Sequence, residues 1–304
     1  RRVTDFAKAA VIRHKLSKAR VGIVGDPFVG MGDFGIPFET LRETIGLEVV
    51  PYDLQDYTYL DSVTQEEIDA EYAANSERFE MKVPREVYDF STRVSLAVRK
   101  WLADKKLDAF SMNFKAARNG TSFPTMPFAE ASLAMERGIG YAGEGDVLTA
   151  AFVSALMEAF DEVSFTEIFC PDWKDGSLFM SHMGEYNVGL SVPEAKPVMS
   201  EKEFSFGDAS NPAILLSPFR PGKVTYLSLN PQAEGYGLFS ATGTMLYTPR
   251  DNKQNDIVSG WFRPDMPLPE FLEAYSRVGG IHHAALIYSD TDISGVLNAL
   301  KTLL

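Results

Sequence analysis

Between residue 20 and about residue 160 the apolar positions keep changing their spacing. The runs "ARVGIVG", "LEVVPYDL" and "LDAFSMNF" are short and β-rich, whereas "QEEIDAEYAANSERF" and "REVYDFSTRVSLAVRKWLADK" repeat their apolar residues at helical intervals. A helix over "TMPFAEASLAMERG", a short strand at "IGYAG" and a helix over "DVLTAAFVSALMEAF" continue the alternation. The opening segment "RRVTDFAKAAVIRHKLSKARVGIVG" reads as an amphipathic helix running into a strand. Such alternation predicts an open parallel α/β sheet. Beyond Asp161 the texture changes to short apolar runs, "PAILLSPF", "KVTYLSLN" and "GTMLYTP", separated by Pro, Gly and Asn. The chain then closes with a helix at "LPEFLEAYSRVGG", a strand at "IHHAALIYSD" and a helix at "ISGVLNALKTLL". The expected fold class is therefore α/β: an open parallel α/β sheet domain over residues 1–160, then a β-rich, barrel-like α+β domain over 161–304.

Composition narrows the partners. With 304 residues and 45% hydrophobic content the chain can bury a full core. A formal charge of -13, with no basic cluster, argues against nucleic acid, whose binding depends on displacing counterions from phosphates. The one cysteine, Cys170, leaves no internal disulfide framework, and no apolar run approaches the ~20 residues of a membrane helix. A cytoplasmic protein that binds no membrane is expected. Asn119-Gly120-Thr121 has the form of a glycosylation sequon but, without a secretory signal, reads as a turn.

The segment "YAGEGDVLTAA", Tyr141 to Ala151, sets Glu144 and Asp146 among glycines at the mouth of an apolar helix. An unpaired buried carboxylate costs several kcal/mol or takes up a proton, so this pair implies a cation, a helix N-terminus to cap, or chemistry. Three of the four histidines lie in the second half: His182, and the adjacent His282 and His283. Neighbours on a strand face opposite ways, so one of that pair serves a common site. Glu167 precedes His182 by one hairpin. Glu144, Glu167, His182 and one of His282/His283 thus form a mixed carboxylate and imidazole set, which suits Mn²⁺ or a related divalent ion better than Ca²⁺.

Other features carry less. Gly30-Met31-Gly32-Asp33-Phe34-Gly35 matches the G-x-G-x-x-G pattern, but the strand ends at Gly25 and Pro27 intervenes, so the register is wrong for a dinucleotide and a βα loop is expected. His14 reads as a satisfied helix residue and Cys170 as an inert buried thiol. Ser181 lacks the frame of a nucleophile elbow. "DNKQND" at 251 to 256 lacks the glycine and closing glutamate of a calcium loop and reads as a solvated turn.

Taken in order, "GYAGEGDVLTAA", "FTEIF", "SHMGE" and "GGIHHAALIYS" resemble motifs of the L-arabinose isomerases and the related L-fucose isomerase group. The likeness runs from about residue 120 to 290, and "GIVGDPFVGMGDF" resembles the opening strand and loop of that family's middle domain. The resemblance implies aldose–ketose isomerisation of a pentose or hexose. It implies Mn²⁺, or another divalent transition metal, held by Glu144, Glu167, His182 and His283, with Glu144 and Glu167 also acting as acid and base. Asp146 and His282 would then be supporting or alternative ligands, and a homo-oligomer, trimer or hexamer, is implied. After Glu167 this chain has Ile168, Phe169 and Cys170 where the family has acidic and aromatic residues, a departure that bears on sugar preference. The family's first domain has no counterpart here, and the start at Arg1 suggests a chain beginning inside a longer protein. The competing expectation is a sugar-binding or regulatory protein that keeps the scaffold without the chemistry.

Overall fold

The computed structural model describes residues 2–249, 254 and 256–304, so most of the expected turn at 251 to 256 lies outside the described residues. The first half contains α1 (Arg2–Leu16), β1 (Arg20–Val24), α2 (Phe38–Thr44), β2 (Glu48–Pro51), α3 (Thr58–Asp61), α4 (Gln65–Arg78), β3 (Glu80–Met81) and α5 (Arg85–Lys105). It continues through β4 (Ala109–Met112), α6 (Phe128–Glu136), β5 (Gly140–Gly143) and α7 (Val147–Met157). There follow β6 (Val163–Asp172), β7 (Ser177–Ser181), β8 (Val198–Glu201), β9 (Ala213–Leu216), β10 (Gly222–Pro231), β11 (Tyr236–Leu246) and β12 (Gly260–Pro264). The last elements are α8 (Leu268–Arg277), β13 (His283–Tyr288) and α9 (Ser294–Lys301).

The sheet of the first half is parallel throughout, in the order β2-β1-β4-β5. Two of its helices, α4 and α7, start at side-chain caps. Thr64 and Glu67 form a reciprocal capping box for α4, and Asp146 caps α7 by accepting from the Thr149 N–H at 2.9 Å. Helix α5 stops at Lys106, which takes a left-handed conformation at φ 52.

Strands β10-β11-β12-β7-β6-β13 close into an antiparallel barrel, as β13 pairs with both β6 and β10. Alternation along these strands explains their apolar runs. Phe165, Leu227, Leu229, Ala285 and Ile287 share one core with α7 and the parallel sheet, while Tyr226, Phe239, Ala284 and Leu286 join the other with Phe271 of α8. On β10 and β13 both faces are buried and polar alternation is absent, whereas β11 and β12 alternate buried with more exposed residues. Helix α7 is buried all round because it packs on β4 and β5 on one side and on β6 and β13 on the other. It couples sheet to barrel.

A small third sheet, β3-β8-β9, takes β3 from the first half and two strands from the second. Among the described residues no helix is long and apolar enough to cross a membrane. Cys170 departs from expectation: it is exposed, because β6 runs past a bulge between Ile168 and Cys170 and its outer half leaves the core.

Candidate active site

The C-terminal end of β5 delivers the first carboxylate. Glu144 sits at φ 61 and Gly145 at φ 87, a left-handed corner that turns the chain from β5 into α7. Gly143 has no room for a side chain, since a Cβ there would stand 2.6 Å from His182 Cε1. The Glu144 pKa is raised by burial, partly offset by His283 and His182.

Glu167 on β6 lies directly across the strand ladder from His283 at the start of β13, and it pairs on its other side with Ser181, one residue before His182. The barrel thereby gathers Glu167, His182 and His283, whose ligand atoms all lie within 4.8 Å of one another. Glu144 stands at the edge of this triad, its Oε2 3.9 Å from His283 Nε2.

Each histidine is held from behind by a carboxylate. His283 Nδ1 lies 3.0 Å from Asp146 Oδ2, and His182 Nδ1 lies 2.7 Å from Glu185 Oε2. An acceptor at Nδ1 keeps a ring proton there and turns Nε2 toward the cluster. His283 Nε2 is indeed buried without a hydrogen-bond partner, and His182 Nε2 is 4.0 Å from Glu167 Oε2. Glu185 also accepts from the Tyr141 hydroxyl at 2.8 Å. Burial alone would lower the His182 pKa, but Glu185, with Glu167 and Glu144 further off, pushes it up to about 9. The Phe165 ring meets both imidazoles edge-on at 4.8 Å, and Phe34 stacks on His283 at 4.7 Å.

His282 points away from the cluster and pairs with Asp33, as neighbours on a strand must diverge. Asp146 does two tasks, capping α7 and holding His283. The sequence reading missed Glu185, whose position three residues after His182 was its only signal. It also missed Tyr141, Phe34 and Asp33, which only the tertiary fold brings to the histidines.

Comparison with known proteins agrees with this architecture. A model of the L-arabinose isomerase central domain matches residues 41–161, and one of its C-terminal domain matches residues 162–296. The L-arabinose isomerase of Leuconostoc mesenteroides is 25% identical over 243 residues, 76% of this chain and 50% of its own length. L-arabinose isomerase 1 of Bacillus licheniformis is 27% identical over 255 residues, 81% of this chain and 51% of its own. The Escherichia coli L-arabinose isomerase is 24% identical over 205 residues, 66% of this chain and 40% of its own. The chain thus spans about half the length, or less, of these curated relatives. Its matched segments abut, follow the family's domain order and take in Glu144, Glu167, His182 and His283, so the chain belongs to the L-arabinose isomerase family.

Proposed function

We propose that this chain carries the chemistry of a divalent-metal-dependent aldose–ketose isomerase acting on a pentose or hexose of the L-arabinose or L-fucose type. One observation carries the reading: two buried imidazoles, each tied through Nδ1 to a carboxylate, present Nε2 toward Glu167 and Glu144. The orphaned His283 Nε2 and the mixed donor set fit a borderline divalent ion such as Mn²⁺, held by Glu144, Glu167, His182 and His283. When bound, such an ion polarises a sugar carbonyl and offsets negative charge developing on the adjacent oxygens.

The chain's own residues supply the proton traffic. Isomerisation removes a proton from one carbon and returns it to its neighbour through an ene-diol of the substrate, and Glu144 and Glu167 are the carboxylates positioned for it. Burial raises the Glu144 pKa above its ordinary value, a direction that favours its taking up a proton. Asp146 and Glu185 hold the rings in register, while Phe165 and Phe34 keep water from them. A sugar-binding protein without chemistry is disfavoured, because binding alone has no use for two aligned carboxylate–imidazole pairs. The same reading includes a two-domain division, 1–160 and 161–304, a cytoplasmic homo-oligomer of trimeric or hexameric form, and no nucleic-acid or membrane partner.

The test strips the protein of metal, restores Mn²⁺ and follows ketose formation from a panel of pentoses and hexoses. Glu144→Gln and Glu167→Gln each keep the shape but lose the charge and the proton acceptor. Each is expected to lose at least about 100-fold in turnover with unchanged circular dichroism. Near-normal turnover in either variant refutes the mechanism.

A further inference from the structure

The glycine-rich loop after β1 crosses from the sheet to the barrel and touches both ends of the candidate site. Its base is fixed at the sheet: Asn113 Nδ2 donates to the Asp26 carbonyl at 2.6 Å, and the Phe28 ring packs on Phe114 at 4.9 Å. The Phe28 N–H then donates to the carbonyl of Glu144 at 2.8 Å, and Pro27 lies so close to Gly145 that a Cβ there would come within 2.6 Å of its Cα. At its far end the loop reaches β13. Asp33 accepts from the His282 backbone N–H at 2.8 Å and faces the His282 ring Nδ1 at 3.0 Å. Phe34, 4% exposed, lies face to face with the His283 ring at an interplanar angle of 18°.

We infer that this loop is a latch that sets the separation of Glu144 and His283, with Asp33 and Phe34 as positioning residues. Three arguments support it. His283 is the first residue of β13, and Ile281, two residues before it, is held from the barrel side by Asn230 and Tyr275. Asp33 supplies the hold from the sheet side. A ring anchored at Cβ and at Nδ1 can still tilt about the line joining them, and a flat neighbour on its face removes that freedom; Phe34 is that neighbour. Lastly, a Cβ at Gly30 would collide with Phe28 Cζ, so the first glycine of the pattern serves the loop's own packing. The pattern that imitates a dinucleotide fingerprint delivers Asp33 and Phe34 to the two histidines instead.

The metal half of this inference rests on the metal-dependent reading above, so the test has an arm without metal. In metal-free full-length chain labelled with ¹⁵N-histidine, only four imidazoles contribute ring signals. Asp33→Ala and Phe34→Ala are expected to broaden or shift the His283 ring signals while those of His182 stay in place. Asp33→Asn, which keeps an acceptor for the His282 N–H, is expected to restore them. Unchanged His283 signals in both alanine variants overturn the latch. In the second arm Mn²⁺ affinity, followed by electron paramagnetic resonance, should fall about 10-fold to 100-fold in Asp33→Ala and recover in Asp33→Asn. Equal affinity in Asp33→Ala and wild type overturns the latch's effect on the site. A wild-type chain that binds no Mn²⁺ refutes the metal reading, and the imidazole signals still decide the latch.

Discussion

At the scale of single residues the site is built against local preference. Glu144 holds φ 61, a region that costs an L-residue roughly 1–2 kcal/mol and that glycine enters freely. Its carboxylate is also mostly buried, so the fold gains little from having glutamate there. Glu144→Gly should therefore leave metal-free stability unchanged or raise it by up to ~1 kcal/mol in urea unfolding, while Mn²⁺ affinity collapses. A loss of more than ~1 kcal/mol would mean that Glu144 serves the fold. Gly143→Ala tests the opposite case: its Cβ would stand 2.6 Å from His182 Cε1, so the ring must move and Mn²⁺ affinity should drop, with a stability loss of about 1–3 kcal/mol. Glu144, Asp146, Glu167, His182 and the histidine pair were legible because glycine spacing, helix mouth and strand parity are local features. Glu185 was not, because its meaning depends on a bond to His182 and on Tyr141 behind it, and its place three residues after His182 is the one local cue. Cys170 misled for a similar reason, since the bulge that carries it outward leaves no mark in an apolar run.

Among the elements, one charged network holds three helices together. Glu130 of α6 is fully buried, and its carboxylate receives Arg99 of α5 at 2.7 Å and also Arg137; Arg99 in turn meets Glu71 of α4 at 2.8 Å. Arg99→Met leaves buried Glu130 with Arg137 alone and takes this cation from Glu71, so it is expected to cost about 2–3 kcal/mol at pH 7, below fully buried cases because Arg137 remains and Arg99 is partly solvated. The pH dependence has a definite sign. Burial would raise the Glu71 pKa, but the hydrogen bonds and charge of Arg99 bring it below its ordinary 4.5. A depressed carboxylate contributes its full stability above the unfolded value and loses it as pH falls through the folded one. The gap between wild type and Arg99→Met should thus be widest near neutrality and narrow below about pH 4.5, read from urea midpoints across pH. A gap constant down to pH 3 would show that Arg99 acts through packing alone. Helix α5 of this network was plain in the sequence because it buries one broad stripe, whereas the shorter α6 is buried along nearly its whole length. Strands β3, β8 and β12 were not plain, being short and supported by partners distant in the chain.

On the scale of the whole molecule, the proposed ligand set draws on both halves, Glu144 from the end of the parallel sheet and Glu167, His182 and His283 from the barrel. Helix α7 lies between, and its cap Asp146 grips His283. A cation bound by all four ligands therefore stabilises the two halves as one unit, by about 2.7 kcal/mol at a hundredfold excess over Kd. An ion held by the barrel triad alone would stabilise the barrel directly and reach the sheet indirectly, through α7, the shared apolar core and the β3-β8-β9 sheet. The tryptophans separate these cases. Trp101 is buried on α5 beside the sheet, whereas Trp261 lies on β12 and Trp173 is exposed beyond the end of β6. A chain with Trp173→Phe and Trp261→Phe reports the sheet through Trp101, and one with Trp101→Phe reports the barrel. With Mn²⁺ added, both reporters should shift to higher urea by the same increment, and chelation should return both. In a Glu144→Gln background the increment at the barrel reporter should shrink and the two transitions should separate. A shift confined to the barrel reporter in the otherwise unaltered site would place the ion on Glu167, His182 and His283 alone and remove Glu144 from its coordination.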